Sequence, residues 1–527
     1  MKRPLFPSLI SGVLLWACWP TSPLTFLVFI AWVPLLWLES RSTRLLRFWG
    51  LTYLTLLIWN VGTTWWVGNT TAPASGVAAN VLNALIMTIP WIGFWKTRRR
   101  FGNVAGYLSL VAYQLTFEYI HLNWELSWPW LDIGNVFAGH PGWVQWYEWT
   151  GASGGTLWVW AVNILVFQAS RGALGSLARG WRMVALALFI PLVISIGIRW
   201  YRSSLTTIPE SGPDIVIVQP NIDPYNEKFA EGTEALQLSK LIQLSESAID
   251  TSTSLVVWPE TAIPFDVNEA YFWQTPALQP LRNFLQRHPD IRLLTGLSGY
   301  RELPPDTITP AMRYDKATGK YWEEYNTALQ LDAKGGIEFY HKGKLVPGAE
   351  IMPYTWIFGF LEKYSLDMGG TSGTLGRGLD RTVFRKTPGG YRAGPIICYE
   401  SIYGAYTTGY IRNGANVLTV ITNDGWWGNT QGYRQHAQYA RLRAIETRRW
   451  IARSANTGIS CFISPVGRVY ESQPYDTQAV IKMHIPPLEG KTFFVLMGDW
   501  ISILAVIWTL LSIVTSIIRF LKRKLPN

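Results

Sequence analysis

Cysteine is scarce: 3 in 527 residues, too few for the framework of bridges that holds small secreted domains together. The 6 histidines are scattered, and no His/Cys cluster has metal-ligand spacing, which removes the zinc-finger and zincin classes. There is no P-loop and no G-x-G-x-x-G fingerprint, so no nucleotide-phosphate cradle is offered. Internal repeats are absent. Charged residues make up 15% and apolar ones 49%, with 29 Trp, a balance that excludes intrinsic disorder and collagen-like chains. A mean hydropathy of +0.11 fits either an evenly apolar soluble protein or a chain divided into membrane and soluble parts. The distribution along the chain distinguishes them.

That distribution is sharply divided. Apolar segments run from Leu5 to Trp19, Leu24 to Leu38, Phe48 to Val67, Val77 to Trp95, Val104 to Ile120, Gly154 to Ala169 and Met183 to Ile198, and an eighth, Ile501 to Ile518, stands near the end. Each runs roughly 15 to 20 residues, some of them short of the ~20 that cross a bilayer core. Basic residues punctuate them on alternate sides: Lys2 and Arg3; Arg41, Arg44 and Arg47; Lys96 and Arg98 to Arg100; Arg171, Arg179 and Arg182; Arg519 and Lys522 to Lys524. The loops after the first, third and fifth segments contain no Lys or Arg. By the positive-inside rule this pattern predicts eight crossings with both termini cytoplasmic, and places the long segment between spans seven and eight outside. The net charge of +11 then reads as topology and contact with anionic lipid, not as nucleic-acid binding.

Leu15-Trp16-Ala17-Cys18 after Lys2 and Arg3 has the outline of a lipoprotein signal peptide. Trp16 is too bulky for the small-residue cleavage site, and losing the first span would invert every other loop. Between the fifth and sixth spans, residues 121–153 carry Trp124, Trp128, Trp130, Trp143, Trp146 and Trp149. Trp favours the headgroup level, so this loop is expected along the outer membrane surface, as an aromatic belt or as an aid to lipid entry. Glu118, near the end of span five, is a functional candidate or a carboxylate that reaches the interface.

The expected domains are 1–200, seven spans; 201–492, an outer domain; and 493–527, the last span with a basic tail. From Asp214 onward short Val/Ile-rich runs alternate with helical stretches. Expected strands are Asp214 to Gln219, Ser254 to Trp258, Ile291 to Gly296, Thr327 to Leu331, Gly336 to Tyr340, Pro395 to Cys398, Val417 to Thr422 and Ile459 to Ser464; the clearest helices are Thr233 to Ile249 and Tyr433 to Thr447. This alternation indicates an α/β domain with a helix-covered sheet. Cys18 and Cys461 read as membrane-embedded and core thiols.

Polar residues gather where three of these strands end: Trp258-Pro259-Glu260-Thr261, His341-Lys342-Gly343-Lys344-Leu345-Val346-Pro347 and Ile397-Cys398-Tyr399-Glu400. Strand ends are where a rigid sheet can aim catalytic groups. Glu, Lys and Cys in the contexts WPE, HK and CYE resemble the Glu-Lys-Cys triad of the nitrilase, or carbon-nitrogen hydrolase, superfamily. The eight-span frame with its inserted domain resembles one branch of it, the bacterial apolipoprotein N-acyltransferases. Val218-Gln219-Pro220-Asn221, Leu345-Val346-Pro347 with Glu350, and Thr422-Asn423-Asp424-Gly425-Trp426-Trp427-Gly428 with Gln435-His436 agree with it. Gly348-Ala349-Glu350, where the family more often has Phe-Gly-Glu, and Lys228, near a common aromatic position, depart from it.

The resemblance implies an αββα sandwich outside the membrane and a two-step acyl transfer in the bacterial inner membrane. An acyl chain would pass from a phospholipid to Cys398, then to the amine of a diacylated apolipoprotein, without metal or cofactor and by default in a monomer. Glu260 would be the base, its proton affinity raised in a partly dry cleft, and Lys342 would face the oxyanion. Glu350 is implied as a further essential carboxylate and Tyr399 and Glu400 as pocket-shaping residues. Asn423, Asp424, Trp426 and Trp427 either line the acyl pocket or make an ordinary turn. A membrane-anchored amidase of the same triad and a non-catalytic ligand-binding membrane protein are the alternatives.

Overall fold

The computed structural model describes residues 5–69, 73–208, 210–228, 230–359 and 374–524; Lys2 and Arg3 of the basic pattern lie outside them. The chain divides into two compact units, one of Met1–Gly68, Ala74–Trp200 and Met497–Asn527, the other of Asn69–Pro73 and Tyr201–Leu496.

The first unit is helical. By length and composition, four stretches can cross a membrane: Ala74–His121, Tyr147–Ser170, Leu177–Tyr201 and Trp500–Lys522. Helices Leu5–Ala17 and Leu45–Thr64 accompany them. Two expected spans differ from single helices. Leu24 to Leu38 is broken into Thr25–Leu27, Val28–Ala31 and Val33–Arg41. The break is possible inside an apolar unit because Asn163 takes up the backbone groups it frees: Trp32 N–H donates to its Oδ1 (2.9 Å) and its Nδ2 donates to Val28 O (2.8 Å). The expected Val77 to Trp95 is interrupted after helix Pro73–Ile86, with Pro90 in the first turn of the next helix, Ile89–His121.

That last stretch is itself two helices. Gly102 has φ +87° and ψ −179°, a conformation that a side chain would strain. Beyond it the chain folds back: Thr97 and Tyr113 hydroxyls meet at 2.9 Å, whereas an unbroken helix would hold these residues about 24 Å apart. Arg98 and Arg99 flank this turn and both pair with buried Glu39, at 3.0 and 2.5 Å. The Trp-rich loop is more than a surface belt. It forms 3₁₀ turns Pro129–Leu131, Ile133–Gly139 and Pro141–Trp143, with Trp130, Ile133, Val136 and Phe137 buried inside the unit. Glu118 is held there by Thr156 Oγ1 (2.8 Å), Gln114 Nε2 (3.1 Å) and Ile133 N–H (3.1 Å), so it is an internal anchor and not an interfacial carboxylate.

The second unit is α/β. Its strands are β1 (Asp214–Gln219), β2 (Thr253–Val257), β3 (Ile263–Asn268), β4 (Arg292–Leu303), β5 (Arg313–Asp315), β6 (Lys320–Leu331), β7 (Ile337–His341), β8 (Ala393–Ile397), β9 (Val417–Thr422), β10 (Ile451–Ala455), β11 (Cys461–Ile463), β12 (Val469–Tyr470) and β13 (Ala479–His484). One sheet runs β13-β1-β2-β4-β6-β5, with β3 on β4 and β7 on β6; the other runs β12-β11-β10-β9-β8. Parallel strands β1-β2-β4 and β8-β9-β10 form the two centres. Every residue of β1, β2, β8, β9 and β10 is buried, the mark of strands covered on both faces.

Helices Glu234–Glu246 and Gln279–Arg287 cover the first sheet, where Leu238, Leu241, Leu281 and Phe284 share a core with Val216 and Val218. Gly404–Arg412 and Gln431–Thr447 pack on the second. The sheets are stitched to each other by Ser454 Oγ donating to Val218 O (2.8 Å) and Ser460 N–H to Gln219 Oε1 (3.0 Å). The result is a four-layer helix-sheet-sheet-helix sandwich. Expected strand Ile459 to Ser464 shrinks to β11, and β10 was not legible because a buried Arg453 interrupts its apolar pattern.

Candidate active site

Three loops at strand ends converge. Glu260 follows β2 on a tight turn in which Thr261 takes φ +46°. The turn lies so close to β4 that a Cβ on Gly296 would stand 2.5 Å from Thr261 N and 2.8 Å from Glu260 Cα. Lys342 directly follows β7, its N–H donating to Asn326 O on β6 (2.9 Å). Cys398 directly follows β8, with φ +47°, and opens the 3₁₀ turn Cys398–Ile402. A non-glycine residue in the left-handed region costs about 1–3 kcal/mol and persists only where the surroundings enforce it.

Lys342 is 1% exposed and binds two carboxylates. Its Nζ donates to Glu350 Oε1 (2.8 Å) and Glu260 Oε1 (3.2 Å). Asn326 Nδ2 donates to the same two atoms, at 2.9 and 2.8 Å. Glu260 Oε2 accepts from Asn423 N–H (3.0 Å), and Glu350 Oε2 from Val346 N–H (2.8 Å). Burial alone would raise the Glu260 carboxyl, but Lys342, Asn326 and Lys228 together hold it below its usual range. The expectation of a raised proton affinity is therefore corrected: a buried cation and an amide donor outweigh the dry surroundings. Burial pushes the Cys398 thiol well up, and the negative charge of Glu260 adds to it, with Lys342 opposing. The resting site thus pairs a neutral thiol with an ionised carboxylate. A nearby electrophile can draw the proton from one to the other, with an ammonium close by for negative charge developing on oxygen.

Lys228 joins these groups. Its Nζ donates to the Glu260 carbonyl (3.0 Å), and burial pulls its ammonium down to about 8 against the attraction of Glu260. Neither Lys228 nor Asn326 was identified from sequence as a member of this cluster; Asn326 shares its half of β6 with the polar Thr327 and Gln330, so no local signal singles it out.

The remaining expected residues separate into two groups. Tyr399 is buried and meets Tyr403 edge-on at 5.3 Å, and Trp426 packs edge-on against Tyr225 at 5.3 Å. Glu400 is a joint between loops. Its Oε1 accepts from Tyr340 OH (2.5 Å), Gly343 N–H (2.7 Å), Tyr406 OH (3.1 Å) and Lys344 N–H (3.4 Å), while Oε2 accepts from Ile397 N–H (2.8 Å). The strand end bearing Lys342 and the one bearing Cys398 are thereby fixed to each other.

Asp424 does not line an open pocket. It is fully buried and bonded to His436 Nδ1 (2.8 Å), Thr422 Oγ1 (2.7 Å) and Arg453 (2.7 Å). Burial opposes its charge, but Arg453 and His436 hold it far below the usual range. His436 Nε2 lies 2.9 Å from the Cys398 carbonyl oxygen and 2.8 Å from Ser401 Oγ, and Trp427 closes over the imidazole edge-on at 5.7 Å. Cys398, Asp424 and His436 have potential ligand atoms within 4.8 Å of one another. Both imidazole nitrogens and both Asp424 oxygens already have partners, one of them a guanidinium, which disfavours a dication and suits a network that fixes the Cys398 backbone. His436→Ala is expected to lower kcat by about tenfold to a hundredfold with little change in KM, since a shifted nucleophile is misplaced but substrate contacts remain. His436→Gln, which can still reach the carbonyl, should recover part of that loss in steady-state kinetics.

Residues 216–489 match the family model described as carbon-nitrogen hydrolase, and residues 11–165 match that of the apolipoprotein N-acyltransferase N-terminal domain. An apolipoprotein N-acyltransferase of Chlorobaculum tepidum is 31% identical over 94% of this chain and 93% of its own. One from Geobacter metallireducens is 26% identical over 94% and 92%. Among solved structures, a Saccharomyces cerevisiae member of branch 10 of the nitrilase superfamily aligns at 17% identity and a TM-score of 0.36, covering 54% of this chain and 93% of that one.

Proposed function

The chain belongs to the apolipoprotein N-acyltransferase family, and from that membership we propose a two-step acyl transfer at Cys398. Cys398 Sγ attacks an ester carbonyl of a membrane phospholipid as its proton passes to Glu260. The tetrahedral oxyanion forms beside Lys342 Nζ and the N–H following Cys398. Collapse breaks the C–O bond; the leaving lysophospholipid takes the proton from Glu260, and a thioester remains. The neutral α-amine of a diacylglyceryl-cysteine lipoprotein then attacks the thioester. Glu260 accepts the amine proton and returns it to the departing sulfur, leaving an amide and the free thiol.

The observation that carries this reading is the Lys342 junction, where one buried ammonium binds both Glu260 and Glu350. The cation keeps Glu260 ionised and therefore ready to accept a proton. Glu350 contributes to the balance of charge at Lys342 and, with Asn326, to its position. Tyr399 and Trp426 contribute apolar walls, and Trp427 covers His436.

The helical unit gives the chemistry its location. We place the protein in the bacterial inner membrane with eight crossings, cytoplasmic termini and the sandwich outside, on the charge asymmetry of its loops. Acyl chains are retained in a bilayer by ~0.8 kcal/mol per CH₂, so a membrane-held enzyme meets both substrates without extracting either. Detergent-solubilised protein given phospholipid and a diacylated lipopeptide should produce N-acylated lipopeptide and lysophospholipid. Free fatty acid without N-acylated product would contradict the transferase and favour an amidase-like hydrolase.

The pH dependence has a definite sign. The Glu260 carboxyl lies below its usual value, so its contribution to stability is complete above the ordinary glutamate value of about 4.3 and is lost as pH falls through the lowered one. Its readiness as a base follows the same curve. The acid limb of kcat/KM for the phospholipid donor, read in the first half-reaction where no amine titrates, is expected below pH ~4.3; a limb near neutrality in that half-reaction would contradict a Glu260 held ionised by Lys342.

A further inference from the structure

A cluster of cations outside the Glu-Lys-Cys site takes no part in the chemistry above. Lys344 follows Lys342 by two positions, and its Nζ stands 4.8 Å from the Tyr403 ring centroid and 6.0 Å from that of Tyr406. The Arg381 guanidinium lies over Tyr406 as well, at 3.7 Å. Arg377 reaches the same loop, its Nε donating to Gly343 O (2.7 Å). The segment bearing both arginines runs against the catalytic lysine's backbone, since Gly378 N–H donates to Lys342 O (3.0 Å).

Gathering like charges is unfavourable unless an anion completes the set. Buried Glu400 attracts the Lys344 ammonium, but its oxygens are bonded to the tyrosine hydroxyls and backbone N–H groups named above. Arg381 NH1 donates to Leu379 O (2.6 Å), and among the described residues neither Arg377 nor Arg381 pairs with a carboxylate. Burial first, then Arg377 and Arg381, pulls the Lys344 ammonium down to about 8 against the attraction of Glu400. A bound dianion or phosphodiester would reverse that.

We infer that Lys344, Arg377 and Arg381 form a phosphate-binding site that receives the headgroup phosphate of the phospholipid acyl donor. Guanidiniums match phosphate oxygens in pairs, and Lys adds a point charge. The location suits this ligand. Glu400 binds Lys344 N–H through one oxygen and Ile397 N–H, one residue before Cys398, through the other. In a glycerophospholipid only a handful of bonds separate the phosphate from the ester carbonyls, so a lipid anchored by its phosphate presents an ester near the sulfur. The inference rests on the acyl-transfer reading and adds how the donor is recognised.

Binding, measured on full-length Cys398→Ala protein in detergent, separates this inference from the chemistry. The probes are dihexanoyl phosphatidylethanolamine, dihexanoylglycerol, which lacks the phosphate, and inorganic phosphate. Combining Lys344→Gln with Arg377→Gln is expected to weaken phosphatidylethanolamine binding at least about tenfold, a modest value for lost charge-assisted hydrogen bonds, and to leave dihexanoylglycerol within about twofold. The conservative pair Lys344→Arg and Arg377→Lys should keep most of the affinity, which a folding defect would not. Unchanged phosphatidylethanolamine affinity overturns the inference. So does an equal loss for both lipids, which would mean a damaged pocket, and so does a loss confined to inorganic phosphate, which would mean a site for the free ion. Failure of the wild-type protein to transfer an acyl chain would instead overturn the transferase reading, whatever these affinities.

Discussion

Replacing Cys398 by alanine is expected to lower acyl transfer by about ten-thousand-fold or more, the order seen when a covalent nucleophile is removed. Serine in its place should rescue little. A serine hydroxyl is far less acidic than a thiol, and Glu260, held ionised below its usual range, is too weak a base to draw the proton from it. The fold should tolerate both changes. The strained backbone at φ +47° is held by Glu400, Ser401 and His436, none of which needs the sulfur; Ser401 Oγ and His436 Nε2 meet the Cys398 carbonyl at 2.8 and 2.9 Å. Unchanged thermal unfolding with lost turnover, assayed as N-acylation of a diacylated lipopeptide, is the expected pair of results. Transfer at the original rate would remove Cys398 from the chemistry.

Lys342→Met should damage both activity and stability. In the native site Nζ lies 2.8 Å from Glu350 and 3.2 Å from Glu260, and without it two buried carboxylates face each other with only Asn326 between them. Breaking a buried pair by removing one partner costs about 3–5 kcal/mol, enough to lower the melting temperature markedly. The site can relieve this by protonating a carboxyl, and a protonated Glu260 is no longer a base. Losing the oxyanion partner alone costs about 10²–10³ in kcat, so the combined loss should exceed that. Adding Glu350→Gln removes one of the two charges. The double variant is expected to regain much of the stability in calorimetry while remaining inactive, whereas a variant as unstable as the single one would contradict the shared-cation geometry.

How far the sequence revealed this molecule depends on the kind of residue. The apolar parallel strands β1, β2, β8 and β9 were visible because burial on both faces leaves an uninterrupted Val/Ile signature. Strand β10 was hidden by Arg453, whose charge is satisfied by Asp424 and Ile459 O, partners supplied by the fold. Membrane-type segments were visible as apolar runs, but the breaks within them were not. Asn163 repairs the gap at Trp32 from a helix more than a hundred residues away, and nothing local announces it. At the site, Glu260, Lys342 and Cys398 stood out because short polar strings ended strands. Lys228 and Asn326 belong to no string and become significant only when folding brings their polar atoms to Glu260. Glu400 is implied by the resemblance as shaping the pocket, and Asp424 reads as either pocket lining or an ordinary turn; in the fold each is a buried acceptor that holds loops together. The raised proton affinity expected of Glu260 failed for the same reason, because the cations that lower it come from distant parts of the chain.

The most direct test of the central claim is an intact-mass measurement on protein incubated with phospholipid alone. With no acceptor present the reaction should stop halfway, and the protein should gain the mass of one acyl chain, labile to base and mapping to Cys398. N-acylated lipopeptide formed with no such adduct, or an adduct on Cys461 instead, would contradict a thioester at Cys398.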